Sequence, residues 1–140
     1  MRSKMSLVLL AFILALLPLF TACAPEEAAP TLTEVGKNAA MTEIKAYPEV
    51  LDADFGQDGY TLSLAIIVPA ATSQARAKEL GEAFVRLVKT LGLLGSDESE
   101  SAPGKEIGEG IFDYLITVAS PDQTIIVQGA KVRYATHITW

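Results

Sequence analysis

Apolar residues recur every three or four positions between Gln74 and Leu91, with charged residues between them. This spacing predicts an amphipathic α-helix that packs on the core through one side. Thr72 and Ser73 lie just before it and can cap its first turn. The apolar side is predicted to hold Leu80, Phe84, Leu87, Val88 and Leu91, and the solvent side Arg76, Lys78, Glu79, Glu82, Arg86 and Lys89.

Between Val50 and Val68 the pattern changes to the strict alternation of a β-hairpin. The segment Gly56–Gly59 in its middle has the composition of a tight turn, since glycine and aspartate accept positive φ angles. On the opposite side of the second strand, the side chains of Ser63 and Ala65 are small and partly polar. The buried side of that strand is predicted to consist of Tyr60, Leu62, Leu64, Ile66 and Val68.

Residues 111–119 and 124–131 predict a second hairpin, joined by a turn with Pro121 in the position that type I turns prefer. After Gly129 the apolar residues change from odd to even numbers, as a β-bulge at this glycine would produce. We expect one long bent strand over Thr124–Trp140, or two strands that share a break. The preceding stretch, 92–110, contains five glycines and is expected to form a long loop.

These elements predict an α+β domain of two layers, with an antiparallel four-stranded sheet in the order β-β-α-β-β and the long helix on one face. Thr31–Glu34 matches a capping box. A weak N-terminal helix is therefore expected over Glu34–Ala46, with Val35, Ala39 and Ile44 on one side. The second face of the sheet is the expected contact surface, partly covered by this N-terminal helix.

The first 23 residues have the layout of an export signal: Arg2 and Lys4 precede an uncharged, mostly aliphatic stretch. This stretch ends in LFTAC at residues 19–23. The ending resembles the lipobox of bacterial lipoproteins, in which a hydrophobic residue and two small residues precede a cysteine. The resemblance implies that residues 1–22 are removed and that Cys23 is diacylated on its sulfur and becomes the mature N-terminus.

Cys23 is the single cysteine of the chain, so no intramolecular disulfide can form, and lipidation gives the lone thiol a role. Two other interpretations stay open. One is ordinary secretion, which Pro25 opposes because it would follow the cleavage point. The other is an uncleaved transmembrane helix, since about 20 uncharged residues suffice to cross a bilayer, although Pro18 opposes a stable helix.

All three interpretations place the rest of the chain outside the cytoplasm, because the positive residues stay inside. We expect a signal at residues 1–22, a lipidated cysteine and tether at 23–33, and one domain at 34–140. The protein is then an extracytoplasmic, membrane-anchored lipoprotein of the cell envelope, held in the outer leaflet of the cell membrane or in an outer membrane.

The formal net charge is −6 and becomes −8 when Arg2 and Lys4 leave with the signal. An acidic surface repels phosphate backbones, which argues against nucleic acid as a partner. It also disfavours flat adsorption onto anionic lipid headgroups. The expected partners are therefore the membrane, through acyl chains on Cys23, and another envelope protein.

The sequence offers little for catalysis or metal binding. His137 is the single histidine and is expected to face solvent from the last strand. No Gly-x-Ser-x-Gly elbow and no zinc-ligand set occur. The carboxylates of Asp52–Gly59 do not have the spacing of an EF-hand calcium loop. The pair Gly104-Lys105 is not part of a P-loop, because Glu106 follows it where a P-loop needs serine or threonine. We expect no cofactor and a solvated, flexible acidic loop, with a cation or a basic partner as the alternative for Asp97, Glu98, Glu100, Glu106 and Glu109.

The aromatic side chains Tyr60, Tyr114, Tyr134 and Trp140 share the apolar parity of their strands, which favours core packing and leaves a binding surface as the alternative. We predict a lipid-anchored binding or assembly module without catalytic activity. The alternatives are a small envelope hydrolase using acidic residues and a solute- or metal-binding lipoprotein. Facing carboxylates in a deep pocket would favour the enzyme, and a flat exposed apolar sheet face would favour the module.

Overall fold

A computed structural model describes residues 27–140, so the export signal and Cys23 lie outside the described part of the chain. This part is an α+β domain with two helices and a four-stranded sheet, as predicted. The elements are α1 (Glu34–Lys45), β1 (Asp52–Asp58), β2 (Thr61–Ile67), α2 (Gln74–Leu91), β3 (Asp113–Ala119) and β4 (Ile125–Lys131).

The sheet is mixed, and the prediction of a purely antiparallel sheet is wrong. The strands lie in the spatial order β1-β2-β3-β4. The two outer pairs are antiparallel hairpins, whereas β2 and β3 run parallel. The reason is the crossover through α2: the helix carries the chain back along the sheet, so β3 begins at the end of the sheet where β2 began.

Helix α2 has the predicted bounds and the predicted cap, since the Ser73 side chain accepts a hydrogen bond from the Arg76 backbone N–H. Its apolar side packs on β2, β3 and β4, with Leu80, Phe84 and Val88 buried. One position differs from the prediction: Lys89 is buried instead of solvated. The cause is the loop after α2, which folds back over the last turn of the helix.

Helix α1 forms where it is predicted, and the Thr33 hydroxyl caps it by accepting from the Gly36 N–H at 2.9 Å. It packs beside α2 and over β1, hence on the same sheet face as α2 and not on the second face. The buried side consists of Gly36, Ala40 and Ile44, whereas Val35 is exposed. A Cβ atom at Gly36 would collide with the carbonyl oxygens of Leu91 and Gly92, so only glycine permits this close approach.

The core lies between this helical layer and the sheet. Inward side chains of β2 and β3 stand next to one another in register, Leu62 beside Tyr114 and Leu64 beside Ile116. The predicted alternation is thereby confirmed from Leu62 to Val68, whereas Tyr60 lies in the turn before β2 and is only partly buried. The hairpin turn falls at Gly59 and Tyr60, later than the predicted turn, because β1 stays paired as far as Asp58.

The C-terminal segment does not continue the last strand. Strand β4 ends at Lys131, the chain reverses, and Thr139 returns to exchange two backbone hydrogen bonds with Ala130. The irregularity in β4 lies near Ile126, so the bulge expected at Gly129 is wrong. The switch of apolar residues from odd to even numbers after Gly129 results from the chain reversal. Gly129 has no side chain and so leaves room for the Trp140 ring.

Candidate functional site

The sheet has one covered and one open face. Since both helices lie on the same side, no element within residues 27–140 covers the other side. The exposed side chains of that side form a shallow depression of about 650 Å³. We name it the open face; its lining includes Asp54, Gly56, Ser63, Ala65, Leu115, Thr117, Gln128, Ala130 and Thr139.

The centre of the open face is built from small side chains because strand alternation sends the large ones into the core. Ser63 lies opposite Leu115, and Ala65 opposite Thr117, in the β2–β3 register. Leu115 is the large apolar side chain of this area and is 51% exposed. The result is a nearly flat surface with one protruding aliphatic residue, which suits contact with another surface better than enclosure of a small molecule.

One edge of the open face is acidic. Asp52, Asp54 and Asp58 alternate along β1 with inward residues, and all three are exposed. Lys45 Nζ lies 3.0 Å from Asp52 Oδ1, and the hydrogen bond from Lys45 holds the pKa of the Asp52 carboxyl below its usual value. Within residues 27–140 no ion pair involves Asp54 or Asp58, so the edge presents uncompensated negative charge.

A second feature is a buried polar cluster beneath the loop 92–110. We define it as Lys89, Glu100, Tyr114 and Lys131. The side chains of Lys89 and Glu100 are 0% and 1% exposed, and Lys89 Nζ lies 3.9 Å from Glu100 Oε1. Glu100 accepts from the Ile111 backbone N–H at 2.6 Å and from the Tyr114 hydroxyl at 3.1 Å.

The same cluster shifts the pKa values of two members. Burial, followed by the charge of Glu100, raises the pKa of the Tyr114 hydroxyl far above its usual value. Burial, followed by the nearby charge of Lys89, lowers the pKa of the Lys131 ammonium. The Lys131 ammonium lies 5.9 Å from the centre of the Tyr114 ring. Both shifts follow from holding charged groups in a dry interior.

The cluster fixes the loop to the helical layer. Lys89 Nζ donates to the Glu109 carbonyl at 2.5 Å, and Arg86 donates to the carbonyls of Gly104 and Lys105. The prediction that Glu100 belongs to a solvated, flexible loop is therefore wrong. The hydrogen bonds of Glu100 go to this chain's own groups, which indicates that the carboxylate stabilises the loop.

The predicted aromatic residues do not form one surface. Tyr114 is fully buried, so the favoured core packing is confirmed for this residue and the alternative of a binding surface is wrong for it. Trp140 is half-buried against Gly81 and Gly129, between α2 and β4. Tyr60 and Tyr134 do come together, because Arg133 lies between them. His137 is exposed, as predicted.

Sequence reasoning missed Lys89, Lys131 and Leu115. The spacing along the chain indicates an inward position for two of these. Lys89 follows the buried Val85 by four residues and lies on the same side of α2, and Lys131 follows the buried Val127 by four residues and lies on the same side of β4. A lysine at an inward position is read by default as extending to solvent, and no local pattern reveals the distant carboxylate that compensates it.

Between residues 27 and 140, no helix is long and apolar enough to cross a bilayer. No group of three or more histidine, cysteine, aspartate or glutamate side chains in the same range could hold a metal ion. In comparisons with known proteins, no family model, no curated protein and no solved structure matches this chain.

Proposed function

We propose that the chain is a lipid-tethered module of the cell envelope, without catalytic activity, that docks another envelope protein on its open face. The observation that carries the proposal is the bare side of the sheet. No element within residues 27–140 packs on it, and the side chains at its centre are small, with Leu115 exposed among them.

The shape of the open face supports a protein partner. Small side chains let a second surface approach the sheet closely, and Leu115 offers one apolar anchor at the centre. A few central residues, surrounded by contacts that exclude water, contribute most of the binding energy in protein interfaces, and Leu115 has this central position.

The charge of the open face supports a partner with basic residues. Asp54 and Asp58 line one edge, and the whole chain is acidic. Opposite charges across an interface speed association and select the partner, and salt weakens both effects. We infer a partner surface with a small apolar centre and a lysine- or arginine-rich border along β1.

Chemical protection tests the docking. In the cells that carry this protein, the variant Ser63→Cys is expected to react poorly with a membrane-impermeant maleimide, because the partner covers the open face. The matched control is Ser101→Cys, an exposed serine of the loop, which is expected to react fully. Mass spectrometry of the labelled peptides separates these sites from Cys23. Equal labelling of the two variants would contradict docking on this face.

The tether is tested at Cys23. The variant Cys23→Ala is expected to lose lipid modification and to accumulate as unprocessed precursor or as released protein. Each buried CH₂ of an acyl chain contributes about 0.8 kcal/mol to membrane binding, so protein released without the chains appears in the soluble fraction, whereas unprocessed precursor is recognised by its mass. The measurements are mass spectrometry of the N-terminal peptide and membrane fractionation. Wild-type processing and membrane retention of the variant would show that the lipoprotein interpretation is wrong.

A further inference from the structure

We infer that one end of the sheet rests on the membrane surface through Tyr60, Val132, Arg133 and Tyr134, which we name the turn-end patch. The inference deepens the proposed function, because it rests on attachment of the chain to the membrane near Cys23. Its occupant is a bilayer surface of uncharged or zwitterionic headgroups.

The turn-end patch combines exposed apolar and aromatic groups. Tyr134 is 78% exposed and Val132 is 58% exposed. The guanidinium carbon of Arg133 lies 4.2 Å from the centre of the Tyr60 ring and 5.9 Å from that of Tyr134. Tyrosine and arginine with apolar neighbours are typical of the boundary between water and lipid, where the rings meet the acyl region and the polar tips stay hydrated.

The charge of the turn-end patch explains why we infer a bilayer of uncharged or zwitterionic headgroups. Asp113 accepts from the Arg133 backbone N–H at 2.7 Å, and its other oxygen lies 3.7 Å from Arg133 Nε. The cation is thus compensated within the chain. Because the rest of the surface is acidic, anionic lipid would repel the domain, and contact has to come from the rings and Val132.

The start of the described chain lies at the same patch. The Tyr60 hydroxyl donates to the Glu27 carbonyl at 3.1 Å. Only three residues lie between Cys23 and Glu27, so the two are four chain steps apart and at most about 14 Å from each other. Acyl chains on Cys23 therefore hold the patch, and no other end of the domain, next to the bilayer.

The topology gives this orientation a consequence for docking. The β1–β2 turn, the start of β3 and the end of β4 all lie at the end of the sheet that carries the patch. With this end on the membrane, the strands point away from the bilayer. The open face and the acidic edge of β1 then stand beside the membrane, where a neighbouring envelope protein can reach them.

The experiment uses 3-fluorotyrosine in the full chain, which has four tyrosines. The chain is reconstituted in phosphatidylcholine vesicles that carry a spin label on the headgroup, and fluorine NMR spectra are recorded. Tyr134 and Tyr60 are expected to lose their resonances through paramagnetic broadening. Tyr47 serves as the internal control, because it lies near the start of β1, at the opposite end of the sheet.

Matched variants decide whether the patch makes the contact. Replacing Val132 and Tyr134 together by aspartate is expected to reduce the broadening of the Tyr60 resonance, because the patch then moves away from the bilayer as far as the tether to Cys23 allows. The control Ile125→Asp changes an equally exposed apolar residue at the other end of β4 and is expected to leave the broadening unchanged. High salt is expected to have no effect, because the contact is uncharged.

Three results would overturn the inference: a Tyr134 resonance as sharp as that of Tyr47, equal broadening of both, or broadening that requires anionic lipid. The apolar segment before Cys23 keeps the full chain on vesicles without acylation. Failure of this experiment is therefore distinct from failure of the tether, which the Cys23→Ala variant decides in cells.

Discussion

Replacing Glu100 with alanine is expected to lower the free energy of unfolding by about 3–5 kcal/mol, the usual cost of removing one partner from a buried ion pair. The change leaves the Lys89 ammonium without its carboxylate in a dry interior, next to Lys131. It also removes the acceptor of the Ile111 N–H and of the Tyr114 hydroxyl. Denaturant unfolding of the full chain in detergent, followed by circular dichroism, measures the loss.

The neighbouring change Glu98→Ala is the control, since Glu98 is an exposed acid of the same loop and should cost little. In the parent chain, burial lowers the pKa of Lys131 in the folded state, so this lysine binds more protons in the unfolded chain and its contribution to stability rises with pH up to about 10. Above pH 10 the raised pKa of the Tyr114 hydroxyl acts in the opposite direction, because the unfolded tyrosine loses its proton while the folded one keeps it. Similar losses for both variants would show that the cluster does not hold the loop.

Replacing Phe84 with alanine is expected to cost about 3–5 kcal/mol, because the change removes a whole ring from a close-packed interior. Phe84 is fully buried in the middle of α2, where the helix crosses the sheet. A loss of this size is a large share of the 5–15 kcal/mol or so that stabilises an ordinary domain. Thermal or denaturant unfolding of the two full-length chains gives the difference.

The control for Phe84 is Leu115→Ala, which removes a large apolar side chain from the open face instead of the core. We expect the free energy of unfolding of this control to be close to that of the parent chain. A loss below about 1 kcal/mol at Phe84 would mean that α2 does not pack on the sheet through this side, since large core truncations cost more than that.

The local elements could be predicted because their signals are local. The bounds of α2 follow from the 3.6-residue spacing and the Ser73 cap, and the inward residues of β2 follow from strict alternation. The small outward residues Ser63 and Ala65 were visible in the same pattern, and they form part of the open face. The second face is uncovered within residues 27–140, whereas the predicted partial cover by α1 is wrong, and a contact role for this face stays a prediction.

The remaining features depend on contacts between distant segments. Strand periodicity is the same in parallel and antiparallel sheets, so the β2–β3 direction had to come from the crossover through α2. Similarly, Lys89 and Glu100 have the composition of solvated positions, and only the folded loop shows that they compensate one another. The chain reversal after Lys131 placed Tyr134 in solvent while Ile138 returned to the core.

The most direct test of docking on the open face is the labelling ratio of Ser63→Cys between intact cells and the purified chain, measured with and without Leu115→Arg. Normalising to the purified chain removes the local effect of the arginine on the cysteine. We predict a ratio well below one for Ser63→Cys alone, because a partner covers the open face, and a ratio near one when Leu115→Arg disrupts that contact. A ratio near one in both chains, with Ser101→Cys labelled fully, would show that nothing docks on this face and would contradict the proposed function.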